Sequence, residues 1–144
     1  MTEVDFYVLP EDTLAARDHF ACRLAEKALH TGRHVVIRVS DQPHADSLSE
    51  YLWSFKPEAF VPHCIASTND QTTKTAEKII IDWQGHTDAY HDVIINLQHA
   101  IPEEFSRFNK LSEIVVQEKK LLAITRASFQ YYRDRGYPLK SHKM

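Results

Sequence analysis

His63 and Cys64 form the one place in the chain where an imidazole and a thiol adjoin. A thiolate beside a base is the nucleophile a small hydrolase or transferase would use. On a strand, though, neighbouring side chains point to opposite faces, and a lone strand cysteine behaves as a small buried apolar residue. The densest group of bases and ligands is His86, Asp88, His91 and Asp92, drawn from nine histidines in all. Its spacing matches no zinc signature, and a solvated polar loop accounts for it. No Ser, His and acid grouping carries a local motif. The residues therefore imply no catalytic centre, metal or cofactor, and a hydrolase or transferase using His63, Cys64 and the His86 loop stands only as the alternative to a binding protein.

Two stretches hold binding chemistry of a better-formed kind. The first runs Tyr51-Leu52-Trp53-Ser54-Phe55-Lys56-Pro57-Glu58-Ala59-Phe60-Val61-Pro62-His63 and joins a helix end to a strand. Pro57 tends to end the helix, and Pro62 cannot donate a ladder hydrogen bond, so Phe60 and Val61 belong to an edge or a strand tip. Trp53 and Phe60 then lie near the surface. They either complete the core beneath an edge strand or anchor a partner protein, the part that Trp and Tyr play at interface centres. The second stretch is the last predicted helix, where steps of three and four put Leu122, Arg126, Phe129, Gln130 and Arg133 on one face. Leu121, Ile124, Thr125, Ser128, Tyr131 and Tyr132 spread over the side toward the sheet. An aromatic between two arginines is either a solvated face with one exposed Phe or a shallow site for an acidic peptide. In the second case guanidiniums fix carboxylates and an apolar floor accepts a bulky side chain.

The elements that position these residues alternate. Val4 to Leu9 reads as a short strand closed by Pro10. A helix follows, with Asp12 or Thr13 as cap, Ala16, Phe20, Leu24 and Ala28 on one face, and Gly32 at its end. His34 to Val39 is a second strand, and Asp41 caps a second helix. Val61 to Ile65, Lys78 to Trp83 and Asp92 to Leu97 are further strands, the last two with the Ile-rich centres of strands buried on both sides. Pro102 opens a short helical piece through Phe105 and Phe108. Leu111 to Val116 reads as the last strand, and Glu118 to Arg135 as the closing helix, stopped by Gly136 and Pro138. This pattern predicts an α/β fold, a Rossmann-like three-layer αβα sandwich with a mostly parallel central sheet.

Length and composition narrow the function. The 144 residues suit one domain spanning 1–144, able to bury about two thirds of its unfolded surface. Nucleotide sites of α/β proteins need glycines where backbone meets phosphate, and the chain has three, Gly32, Gly85 and Gly136, each isolated. The first strand leads into Pro10-Glu11-Asp12 rather than a GxGxxG, so the fold is expected to lack a nucleotide-binding glycine loop. A formal net charge of −3 argues against strong direct nucleic-acid binding. No apolar run reaches the roughly 20 residues of a membrane helix. Cys22 and Cys64 form no CxxC pair, and the polar start is no secretory signal, so a cytoplasmic location is expected.

Asp5-Phe6-Tyr7-Val8-Leu9, Thr31-Gly32-Arg33-His34-Val35, Leu52-Trp53, Phe60-Val61-Pro62-His63, Arg126 and Tyr132-Arg133 before Gly136 follow in an order and spacing that resembles the chi (HolC) family of bacterial DNA polymerase III subunits. The likeness covers nearly the whole length. It implies a Rossmann-type fold without nucleotide chemistry and a noncatalytic, clamp-loader-associated adaptor in DNA replication. One surface would bind the psi subunit, with Trp53, Phe60 and Pro62 matching the family's contacts; a DinG/XPD-like helicase competes for that surface in the family. Another would bind the acidic C-terminal tail of single-stranded DNA-binding protein (SSB), with Arg126 as the basic contact, Phe129 as the neighbouring aromatic and Val115 as the floor, joined by Gln130 and Arg133. Where the family pattern can place lysines, this chain has Leu122 and Gln130. The resemblance thus implies a site of reduced charge, for which Arg133, Lys119 or Lys120 would compensate.

Overall fold

Short runs of Val and Ile make the middle of the sheet because both of their faces are covered, and polar residues stand where those runs stop. The computed structural model describes residues 2–55, 63–65, 79–85 and 90–144, with backbone alone for 53–55 and 63–65. In chain order these residues form β1 (Glu3–Val8), α1 (Leu14–His30), β2 (Val35–Arg38), α2 (Gln42–Phe55), β3 (His63–Ile65), β4 (Ile79–Asp82) and β5 (Val93–Asn96). A 3-10 turn (Phe105–Arg107), β6 (Lys110–Val115), α3 (Lys119–Asp134) and β7 (Leu139–Lys143) follow. The seven described strands lie in the order β3-β4-β2-β5-β6-β1-β7. All their pairings are parallel. Helices on both faces make this the expected three-layer α/β sandwich.

One face is covered by α1 and α2. Ala21, Cys22 and Ala25 of α1 and Ala45, Leu48 and Leu52 of α2 close over Val35, Ile37, Ile79, Ile81, Val93 and Ile95. Local signals start and stop these helices. Thr13 Oγ1 accepts from the Ala16 N–H at 3.2 Å, and Asp41 Oδ1 accepts from the His44 N–H at 2.9 Å. The other face lies under α3 and the segment before β6. There Val4, Phe6, Val36, Ile80, Ile94 and Leu111 meet Phe105, Phe108 and Tyr132.

The last element differs from the expectation that the chain ends on a helix. Gly136, at φ +78°, turns the chain after α3, with the Tyr137 N–H donating to the Tyr132 carbonyl at 3.1 Å. Leu139 to Lys143 then pair with β1 as an edge strand. Its composition, mostly Lys, Ser and His, carries no strand signal. The free backbone edge of β1 supplies what the side chains do not.

Candidate functional site

The closing helix is positioned from both ends and from below. Glu118 caps it, accepting from the Leu121 N–H at 2.9 Å, and the N–H groups of Leu121 and Lys120 hold this carboxyl below its usual range. Ser128 and Tyr132 are its buried centre line. Leu122 and Phe129 settle against the β1 side, where the Phe129 ring lies 5.2 Å from that of Phe6. Phe129 is thus half-buried rather than the exposed aromatic its helical spacing allowed, because Phe6 rises to meet it. Val115 is buried in the same cluster.

Above this apolar strip the charges divide. Arg135 is committed, its guanidinium 3.5 Å from the centroid of the Tyr131 ring. Gln130 is committed too, donating from Nε2 to Asp134 Oδ1 at 2.7 Å. Arg126 and Arg133 are exposed, and among the described residues neither makes an ion pair. Lys119 and Lys120 are exposed at the start of the helix. Val115 and Phe129 thus share one apolar cluster, and Arg126 and Arg133 are exposed on the helix that carries Phe129. Strand β7 adds a residue that sequence reading missed. Val8 is in register with Val115 on one side and with Lys143 on the other, and register partners share a face. Lys143 therefore stands on the same face of the sheet as Val8 and Val115. No sequence signal could have found it, since Leu139 to Lys143 does not read as a strand. Arginine forks above an apolar floor can hold carboxylates while a bulky side chain is buried.

The carboxyl edge of the sheet, where open α/β proteins take ligands, carries a row of polar side chains among the described residues. Asp82, Arg38, Asn96 and Glu113 are register partners across β4, β2, β5 and β6, so four polar side chains stand side by side on the α3 face. Arg38 donates to Asp82 Oδ2 at 3.3 Å and also to Glu104 and Gln98. Asn96 donates to Glu113 at 3.1 Å, and the Tyr132 hydroxyl donates to Glu113 Oε2 at 2.7 Å. Loss of water beneath α3 pushes the Glu113 carboxyl up to about 7; the hydrogen bonds from Asn96 and Tyr132 and the charge of Arg17 oppose that rise. Arg17, in the first turn of α1, is buried beside this row. Burial likewise drives the Tyr132 hydroxyl far above its ordinary value.

The other predicted residues sit elsewhere. Trp53 lies in the last turn of α2, while Phe60 and Pro62 fall outside the described residues. His63 and Cys64 lie in β3, paired with Ile79 and Ile80, their side chains outside the description. His86 and Asp88 also fall outside it. Asp92 is turned to the His34 N–H at 2.9 Å. Cys22 is buried, and desolvation pushes its thiol up to about 12, far from a thiolate at neutral pH. Among the described residues no three His, Cys, Asp or Glu side chains are grouped to hold a metal, and no helix is long and apolar enough to cross a membrane.

Known proteins resemble this chain in two ways. By fold, it is similar to T4 UvsW (TM-score 0.68, 10% identity), covering 99% of this chain and 41% of that one. It is also similar to Mss116p DEAD-box helicase domain 2 (TM-score 0.66, 11% identity), covering 97% of this chain and 64% of that one. Identities this low establish a shared architecture alone. By sequence, the family described as DNA polymerase III chi subunit, HolC, matches residues 1–140. The DNA polymerase III subunit chi of Pseudomonas aeruginosa is 38% identical over 100% of this chain and 98% of its own length. That of Haemophilus influenzae is 28% identical over 96% and 95%. A match of this extent places the chain in the DNA polymerase III chi subunit family, a family of DNA replication proteins.

Proposed function

We propose that this chain is a noncatalytic adaptor of the DNA polymerase III holoenzyme, holding the psi subunit at one surface and the acidic C-terminal tail of SSB at another. The observation that carries the reading is the α3 strip. Exposed Arg126 and Arg133 flank Phe129, half-buried on Phe6, and Val115 lies in the same cluster. The carboxylates of the tail would meet the guanidiniums, and its terminal aromatic would rest against Phe129. Psi would be held by Trp53, Phe60 and Pro62, a surface that a DinG/XPD-like helicase would contest. One cytoplasmic domain would then link coated single-stranded DNA to clamp loading without touching the DNA strongly itself.

Leu122 and Gln130 leave this site with fewer charges than the resemblance allows, so attraction and its salt dependence should both be modest. A fluorescent SSB-tail peptide titrated into the purified chain at low and moderate salt tests this, with Arg126→Ala alongside. Arg126→Ala should weaken binding about tenfold or more, a loss of ~1.4 kcal/mol, and salt should weaken binding to the unaltered chain. Equal affinity in the variant would remove the SSB reading. Capture of psi that survives Trp53→Ala would remove the other half.

A further inference from the structure

We propose that the cleft between the C-terminal end of α1 and strands β5, β6 and β1 binds an oxyanion carried on a small apolar body, a phosphate or carboxylate attached to a ring. The cleft has a volume of about 240 Å³ and lies on the α1 face of the sheet, opposite α3. It is therefore separate from the strip assigned to SSB.

Three cations converge on it from three elements: Lys27 from α1, Arg33 from the turn after it, and Lys110 from β6. The convergence follows from local geometry. Leu24, Lys27 and Ala28 share a helix face at steps of three and four. Gly32, at φ +79°, reverses the chain, with the Arg33 N–H donating to the Ala28 carbonyl at 3.2 Å, and this brings Arg33 back over the same face. Strand alternation puts Lys110 and Ser112 on the side of β6 that carries Ile114 into the core under α1. The negative end of the α1 dipole accounts for Lys27 without a ligand. It does not account for Arg33 and Lys110 facing the same space.

Among the described residues, the charge in the cleft is neutralised from within only at Lys110. Asp5, with its side chain 3% exposed, is 3.1 Å from Lys110 Nζ, and His142 Nε2 stands 3.3 Å from its other oxygen. One carboxylate thus holds Lys110 in place, and an ammonium keeps further donors after one contact. Lys27 and Arg33 are exposed and make no ion pair among the described residues. The Thr31 hydroxyl, whose proton is given to the Ala28 carbonyl at 2.6 Å, and that of Ser112 line it as well, and Leu24, Ala28, Val93 and the Tyr7 ring supply apolar wall. The Tyr7 ring is held from behind by His142, stacked at 4.8 Å and 17°. Donor-rich, cationic at the rim and apolar along the wall, the cleft suits an anionic group on a flat body.

The test uses the full chain and three probes of similar size, phenyl phosphate, phenylacetate and benzyl alcohol, followed by amide shifts in two-dimensional NMR. Phenyl phosphate or phenylacetate should shift the amides of Thr31, Arg33 and Ser112 in a saturable way, and benzyl alcohol should not. The tighter of the two anions identifies the oxyanion. Lys27→Gln with Arg33→Gln, both at exposed positions, should raise Kd at least tenfold, whereas Arg126→Ala should leave it unchanged. An unaltered Kd in the double variant, or no saturable shift at the cleft with either anion, would overturn the proposal and leave the α3 reading untouched.

Discussion

The two faces of the sheet are built from the same strands but do different work. Under α1 and α2 the strands present Val35, Ile37, Ile79, Ile81, Val93 and Ile95, and the helices answer mainly with Ala, Cys and Leu. Under α3 the alternate residues begin in the same way, with Val36, Ile80 and Ile94, and then give way to Arg38, Asp82 and Asn96 at the strand ends. The first face is an apolar layer with few alternatives to choose among. The second combines aromatic rings with a hydrogen-bonded polar row, and the helix above it is held partly by Tyr132 on Glu113. Burial of apolar area is non-directional, whereas a buried polar row must be satisfied partner by partner. The α3 face therefore fixes the helix's rotation and height, which set where Arg126 and Phe129 are displayed.

The comparison is broken most forcefully from the apolar side. Ile37→Ala, at a fully buried position, should cost ~2–5 kcal/mol in urea denaturation, equally at pH 5 and pH 8. A pH-dependent loss there would show that the two faces are not separable.

Glu113→Gln sharpens the contrast, with a smaller effect. The Glu113 carboxyl is raised to about 7 in the folded chain, against roughly 4.3 when unfolded. Between these values the folded state holds a proton that the unfolded state has lost. Stability from this group is therefore full below the unfolded value, declines as pH rises toward 7, and stays low above it. The variant should remove most of that slope and be the more stable protein at pH 8, by on the order of 1–3 kcal/mol. Parallel slopes for both proteins between pH 5 and pH 8 would mean that Glu113 does not titrate in this window.

The smallest effect concerns display alone. Gln130→Lys, on the exposed side of α3, should change stability by less than ~0.5 kcal/mol. It should strengthen SSB-tail binding a few-fold at low salt, with the gain fading as salt rises. An unchanged affinity at low salt would separate Gln130 from the binding strip.

Much of the architecture was legible because its causes are local. The caps at Thr13 and Asp41, the turn at Gly32 and the end of α3 at Gly136 depend on residues within one turn of each other, and the structure has them as read. The Ile-rich centres of β4 and β5 announced strands covered on both sides. Within the candidate strip, helical spacing grouped Leu122, Arg126, Phe129, Gln130 and Arg133, and all five lie on α3. The depth of Phe129 was not legible, since Phe6 is more than a hundred positions away. Helical spacing gives no sign that Arg17 is buried. Its burial depends on the carboxyl edge that α1 crosses and on Glu113 beneath it.

By itself, then, the sequence determined the kinds and order of the elements as far as the end of α3, and the family to which the chain belongs, since periodicity, capping and turn chemistry act over a few residues. Strand order, the polar row from Asp82 to Glu113, the cleft shared by Lys27, Arg33 and Lys110, and the pairing of Lys143 with Val8 were decided only by tertiary structure. Each joins residues far apart in the chain. The clearest case is β7, whose side chains specify no strand and whose place was set by the one β1 edge left without a partner.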